Sequence, residues 1–127
     1  MSFKVEQISG EPIITITLYP DFNFSEENAL SVQAMLDLLN AASQPSFLLI
    51  DMQASPDLGQ IVVGADLATR GPNPLMHHKN VRQVLVATTD DLIAQVSRGL
   101  ASQLFGHVNI EVFPTMNDAL RYARSQP

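Results

Sequence analysis

Residues 47–71, FLLIDMQASPDLGQIVVGADLATRG, constrain the fold of this chain more than any other stretch. They begin with a wholly apolar run at 47–50, which predicts a strand buried on both faces of a parallel sheet. Asp51 ends the run, and turn-forming residues follow at 54–57. A second apolar set has helical spacing and predicts a helix with one face in the core: Leu58, Ile61, Val62, Ala65 and Ala68. In α/β folds the loop of such a strand-loop-helix unit is the usual place for ligands or partners.

The composition indicates one folded domain spanning residues 1–127. The chain is 46% hydrophobic and 16% charged, which is sufficient for a hydrophobic core. Its net charge of −6 argues against a nucleic-acid partner, because phosphate backbones bind clustered basic surfaces. Cysteine is absent from the sequence, which excludes disulfides and thiolate catalysis. No signal-peptide pattern or apolar run of membrane-spanning length occurs, so we expect a cytoplasmic protein without a membrane partner.

The residues before the central unit predict two strands and a helix. Apolar and polar residues alternate at 3–8 and at 13–18, and the short turn between them predicts an antiparallel hairpin at a sheet edge. Ser25 is the expected helix cap, followed by two glutamates. The core face of this helix is predicted to contain Val32, Met35, Leu36 and Leu39. The aromatic residues before it, Tyr19, Phe22 and Phe24, are expected to pack together, with an exposed recognition patch as the alternative.

The residues after the central unit continue the alternation of strands and helices. A breaker at 71–74 precedes an exposed connection at 75–80 and a strand at 81–87. Thr88 or Thr89 is the expected cap of the next helix, and Gly106 its stop. The core face of that helix is predicted to contain Leu92, Val96, Leu100 and Leu104. A strand at 109–113 and a helix starting at Thr115 complete the order β-β-α-β-α-β-α-β-α, an α/β fold with a mixed, mostly parallel sheet.

This order, together with the segments LLIDMQ, VLVATTDD and VFPTMNDAL, resembles the STAS domain, the fold of anti-sigma-factor antagonists and of the cytoplasmic tails of sulfate transporters. The resemblance implies a bacterial regulatory module that binds a protein partner, such as an anti-sigma-factor-like kinase or another regulator. Regulatory members contain Asp-Ser-Ser-Gly with a phosphorylatable serine at the start of the second helix. Here the chain has Asp57-Leu58-Gly59, of which Asp57 and Gly59 match the motif, so both serines are absent and the usual phosphorylation switch is unsupported.

The predicted partner-binding residues lie in the loop and helix start of the central unit: Ser55, Asp57, Leu58, Gly59, Gln60 and Ile61. Ser55 before Pro56 fits an N-cap followed by a first helical proline, and phosphorylation of Ser55 is the alternative. Asp57 with Gln60 three residues later fits a capping box, and a fixed negative charge facing a partner is the alternative. A homodimer that pairs through the edge hairpin also stays open.

No catalytic residue, cofactor or metal site is predicted. His77 and His78 are adjacent and would point to opposite sides of an extended segment, so we expect them in a solvated loop. Asp51 with Thr88 or Thr89 resembles a two-component receiver, but that family's acidic pair and lysine are missing. Three other readings therefore remain: a pseudo-receiver, a small enzyme of unrecognised type, and a domain that holds an apolar ligand between the second helix and residues 71–80.

Overall fold

The computed structural model describes residues 2–70, 74–103 and 106–126, with Leu67 described by its backbone alone. The strands are β1 (Phe3–Gln7), β2 (Ile13–Leu18), β3 (Ser46–Met52), β4 (Val81–Ala87) and β5 (Ile110–Phe113). The helices are α1 (Phe24–Ala41), α2 (Leu58–Thr69), α3 (Asp91–Gly99) and α4 (Met116–Ser125), and a 3-10 turn lies at Leu75–His77. The element order confirms the predicted α/β class. The predicted breaker residues Gly71, Pro72 and Asn73, and the core residue Leu104, lie outside the described residues.

The strands form one mixed sheet in the order β1-β2-β3-β4-β5. β1 and β2 pair antiparallel as the predicted edge hairpin, and each later neighbour pairs parallel. Each parallel connection leads to the adjacent strand, and right-handed crossovers place their helices on one face. Accordingly α1, α2 and α3 share one core cluster, whereas α4 packs with a second cluster on the other face. The sheet is therefore covered on both sides at β3 and β4.

The apolar run in β3 is buried on both faces, as the sequence predicts. Leu48 and Ile50 point into the cluster beneath α1 to α3, and Phe47 and Leu49 point into the cluster beneath α4. Successive strand residues face opposite sides, so a strand covered by helices on both sides needs apolar residues at every position. Asp51 is half-buried where the strand emerges at the sheet edge.

Aromatic packing fixes the entry of the chain into α1. The Phe22 ring is buried and lies edge-on against both Phe3 and Phe24, with centroid distances of 5.9 and 4.8 Å. This confirms that Phe22 and Phe24 pack against each other, with Phe22 buried and with Phe24 and Tyr19 half-buried. Asn23 follows and caps the helix, since its side chain accepts hydrogen bonds from the amides of Ser25 and Glu26. The predicted cap at Ser25 is therefore wrong.

The start and end of α3 also differ from prediction. Asp90, not Thr88 or Thr89, caps the helix, because its carboxylate accepts from the amides of Leu92 and Ile93. Thr88 instead is buried, and its hydroxyl accepts a hydrogen bond from the Asp90 amide. The helix ends at Gly99 and not at Gly106. A carboxylate is the stronger acceptor for free helical amides, so the later residue takes the cap position.

Two predicted environments in this half of the chain are wrong. Leu92 is exposed, and Ile93 takes its place in the core, with Val96 and Leu100 packed beside it. Leu92 and Ile93 are both spaced to share a helix face with Val96 and Leu100, so the apolar period alone does not decide which of the two is buried. The rotation of the helix, which begins at Asp91, places Ile93 in the core. Leu75 lies in the segment predicted as an exposed connection but is fully buried, because the 3-10 turn inserts it beneath the helices.

Candidate functional site

The carboxyl ends of the four parallel strands lie along one side of the sheet, and the four helices begin there. This side, distinct from the edge strands, is called the acidic edge. Four different side chains cap these helices: Asn23, Asp57, Asp90 and Thr115. None of the connecting segments 19–28, 53–60, 88–93 and 114–118 contains lysine or arginine. Their carboxylates are those of Asp21, Glu26, Glu27, Asp57, Asp90, Asp91 and Asp118. The edge is acidic because carboxylates stabilise the positive ends of helix dipoles.

Glu27 is one carboxylate of this edge, and two hydrogen-bond donors fix its position. Its side chain accepts a hydrogen bond from the Asn23 amide at 2.9 Å and another from the hydroxyl of Ser2. The Ser2 hydroxyl, followed by the Asn23 amide, lowers the pKa of Glu27 below its ordinary value. Both donors favour the ionised form, so this carboxylate keeps its negative charge as pH falls toward the acidic range.

A capping box begins α2 at Asp57. The Asp57 carboxylate accepts from the Gln60 amide at 2.8 Å, and the Gln60 side chain accepts from the Asp57 amide at 2.9 Å. This confirms the predicted capping box. The interpretation of Ser55 as the N-cap is wrong, because Ser55 lies exposed in the loop two residues before the capping residue. The reciprocal pair satisfies two backbone donors, which a serine cap alone cannot do.

Replacing Asp57 with alanine is expected to lower the free energy of unfolding by about 1 kcal/mol, because the α2 amides lose their acceptor. Asp57→Asn should change stability by less than about 0.5 kcal/mol, since asparagine caps equally well. Urea unfolding of both variants measures this difference. Equal stability of the alanine variant and the parent would show that the cap contributes nothing. An arginine here would remove both cap and charge, so asparagine is the variant that isolates the charge.

Apolar side chains of α2 lie both on its buried face and on its exposed face. Ala65 and Ala68 are buried beneath the helix and Ile61 packs beside them, as predicted. Leu58, Val62 and Val63 are 54%, 48% and 66% exposed, so the predicted core positions of Leu58 and Val62 are wrong. Two alanines and Ile61 thus face the sheet, and Leu58, Val62 and Val63 face outward. Apolar residues surround this helix, and a 3.6-residue period alone does not decide which of them are covered.

A surface groove separates the amino-terminal turns of α1 and α2. Its volume is about 340 Å³, and its walls include Phe24, Asn28, Gln60 and Val63. Asp57 and Gly59 lie at the α2 end of the groove. The groove therefore joins an apolar floor to neutral amides and one carboxylate.

A smaller apolar cavity of about 120 Å³ lies deeper, between the helices and the sheet. Ile16, Ile50 and Val86 of three neighbouring strands form its floor, and Gly64, Ala65 and Ala68 of α2 form part of its roof. Leu75 and Met76 of the 3-10 turn close one side. The cavity exists because the inward side chains of α2 are too short to fill the space above the strands.

The histidines and the receiver-like residues have ordinary partners. His78 lies within hydrogen-bond distance of the Asn40 side chain, 2.8 Å, and accepts from the Asn80 amide. Asp51 accepts from the Gln53 side chain at 3.0 Å. Within residues 2–70, 74–103 and 106–126, no group of three or more His, Asp or Glu side chains could hold a metal ion.

The structure divides the predicted partner-binding residues into two groups. Ser55, Asp57, Leu58, Gly59 and Gln60 are exposed at the start of α2. Ile61 turns inward and lines the cavity, so it does not share that surface. Sequence reasoning missed Val62 and Val63 as surface residues and Asn28 across the groove, and it named Phe24 only in the alternative of an exposed recognition patch. The available signal was that only Gln60 and Asp66 are polar within 58–68, because a helix with so few polar residues has to leave some apolar ones exposed.

Comparison with known proteins identifies no relative of this chain: no family model, curated protein or solved structure matches it. Across the described part of the chain, no helix is both long and apolar enough to cross a membrane.

Proposed function

We propose that this chain is a non-catalytic regulatory module that binds a protein partner through the outer face of α2, as an anti-sigma-factor antagonist does. The observation that carries the proposal is the exposure of Leu58, Val62 and Val63 on one short helix. Leu58 and Val62 are one turn apart and share a face, and Val63 extends the apolar surface to the groove. Contiguous exposed apolar surface of this kind marks protein interfaces, because covering it removes apolar area from water.

The charge around this face defines the kind of partner. The start of α2 lies at the acidic edge, and Asp57 is exposed beside Leu58. The partner we propose presents apolar side chains surrounded by lysine or arginine. Such complementarity accelerates association and selects against acidic competitors, and its effect on the association rate falls as salt rises.

The β-β-α-β-α-β-α-β-α order and the edge hairpin are compatible with a STAS-like regulator, since the resemblance is based on both. Serine phosphorylation of the usual kind is not part of the proposal, because Leu58 and Gly59 occupy the positions after Asp57. Ser55 is the exposed hydroxyl nearest the α2 start in that loop. Intact mass of the protein purified from its natural source tests this point: a phosphorylated fraction at Ser55 would restore the switch.

The proposal is tested by capturing partners from native extract and then measuring affinity with the purified partner. We expect Leu58→Gln/Val62→Gln to weaken binding more than tenfold, because both apolar contacts are lost while glutamine remains compatible with a helix. Leu30→Gln is the matched control, since Leu30 is 61% exposed on α1 and lies outside the groove. Asp57→Asn should slow association at low salt and leave the dissociation rate nearly unchanged.

Two outcomes would contradict the proposal. Equal affinity of the double variant and the parent would remove α2 from the interface. A parent protein that is dimeric in sedimentation, with a monomeric double variant, would assign the α2 face to a second copy of the chain and not to another protein.

A further inference from the structure

The inward face of α2 leaves space that the rest of the core does not fill. Ala65 and Ala68 are buried there, and Gly64 lies beside them at the cavity wall. A methyl group added at Gly64 would meet no atom within 4 Å, so packing does not require glycine at this position. Glycine in a helix interior lowers stability relative to alanine. Because Gly64 has no side chain, the cavity wall at this position stays open toward the exterior.

The cavity is suited to an apolar occupant rather than to water. Its floor is aliphatic and its lining is mostly apolar, with Asn28, Ser31, Gln60 and Ser97 as the polar wall residues. Ser31 already donates its hydroxyl hydrogen to the Asn28 carbonyl at 2.8 Å. No buried side-chain nitrogen or oxygen among the described residues lacks a hydrogen-bond partner. A water molecule needs two to four polar partners, so a cavity with this lining stays dry and accepts apolar molecules.

The cavity and the surface groove share four wall residues, which are Phe24, Asn28, Gln60 and Gly64. The two spaces therefore lie on either side of one boundary at the α1–α2 junction. Across that boundary the surroundings change from aliphatic side chains to the amides of Asn28 and Gln60. The carboxylate of Asp57 lies on the groove side, and no lysine or arginine lines the groove. An occupant that spans both spaces has an apolar tail inside and a polar head outside.

We propose that this site binds a short amphiphile: an aliphatic chain of about four to six carbons with an uncharged polar head such as a hydroxyl. The length follows from the 120 Å³ cavity, given that an engineered cavity of about 150 Å³ in another protein binds benzene. The groove argues against an anionic head, because Asp57 repels an anion and no lining cation offsets that repulsion, and a hydroxyl matches the donors and acceptors of the Asn28 and Gln60 side-chain amides. The cavity is separate from Leu58 and Val62 of the partner-binding face, which do not line it, whereas Val63 and Asp57 line the groove and belong to both surfaces.

The test is a titration of the intact protein with 1-hexanol, followed by methyl NMR. We expect saturable shifts of the methyl groups that line the cavity, such as those of Ile16, Met35 and Val86. Methyl groups of Leu49 and Leu85, in the cluster beneath α4, are the internal reference and should stay unchanged. Hexanoate at neutral pH should bind at least tenfold more weakly than 1-hexanol.

Two variants distinguish the cavity from general adsorption. Ala65→Leu fills the cavity and should weaken hexanol binding at least tenfold. Gly64→Val narrows the boundary from a position with open space, so it keeps the test valid if Ala65→Leu fails to fold. Leu30→Gln is the control that should bind like the parent. Absence of saturable cavity shifts, or equal shifts in Gly64→Val, would overturn the site, and equal or tighter binding of hexanoate would overturn the uncharged head.

The same variants separate this inference from the proposed partner-binding function. Leu58→Gln/Val62→Gln should keep the hexanol shifts while it loses the protein partner. Loss of the hexanol shifts in that double variant would show that the two sites are not separate and would overturn the independent cavity.

Discussion

Replacing Leu49 with alanine is expected to lower the free energy of unfolding by about 2–5 kcal/mol. Leu49 is fully buried in the middle of β3, where it lies in register with Leu85 of β4. Ala119 and Ala123 of α4 belong to the same cluster and have side chains too small to move into the vacated space. The variant therefore loses the transfer free energy of the removed carbons and also retains a void.

Urea unfolding measures this effect as a lower midpoint with an unchanged slope, which indicates a stability change within a two-state transition. Leu30→Ala is the matched control. The same substitution at a side chain that is 61% exposed on α1 should change stability by less than about 0.5 kcal/mol. A cost below about 1 kcal/mol for Leu49→Ala would contradict the close packing of α4 on the sheet.

Replacing Gly106 with alanine is expected to cost roughly 1–3 kcal/mol, mainly because its backbone is left-handed. Gly106 has a φ of +80°, which residues with a Cβ rarely adopt. The new Cβ would also lie 2.8 Å from Nε2 of His77. That nitrogen is at the far end of an exposed side chain and can move aside, so the backbone conformation accounts for most of the cost.

Gly64→Ala is the opposite case and serves as the control for Gly106→Ala. Gly64 is helical and an added Cβ meets no atom, so alanine should raise the free energy of unfolding by about 0.5–1 kcal/mol. The double variant His77→Ala/Gly106→Ala separates the two causes. If it recovers the stability of His77→Ala, the contact with His77 and not the φ angle is responsible. Thermal or urea unfolding of the parent and of these four variants decides between these explanations.

Local chemistry predicted some parts of the fold well. The wholly apolar run in β3 predicts two-sided burial because each successive residue faces the opposite side of the sheet. The Asp57–Gln60 pair predicts its capping box because both partners lie within one helical turn. The order of strands and helices follows from similar short-range patterns. The edge hairpin follows from a connection too short for a crossover.

The helix caps show where local chemistry was ambiguous. Ser25 and Thr88 are both good capping types, yet Asn23 and Asp90 hold those positions. Several residues near each helix start offer a suitable oxygen. The residue that caps the helix depends on where the preceding strand ends and on which side chain then lies within hydrogen-bond distance of two free backbone amides.

The candidate site was only partly predictable. The sequence predicts that recognition would lie at residues 55–61, and five of the six residues named there are exposed. The groove lies between Phe24 and Asn28 of α1 and the start of α2, which are about thirty residues apart in the sequence. No short-range sequence pattern indicates that these two segments are neighbours. The cavity depends on the distance between α2 and the sheet, which neighbouring helices set.

The sequence by itself determined the α/β class, the order of elements and the two-sided core at β3, because each depends on residues close together in the chain. Only the tertiary structure decided which side of α2 faces outward. Leu58, Ile61, Val62, Val63 and Ala65 are all apolar, so the hydrophobic effect gives that helix little rotational preference. Packing against α1, the 3-10 turn and the sheet selects the rotation, which places Ile61, Ala65 and Ala68 at the cavity and turns Leu58, Val62 and Val63 toward solvent.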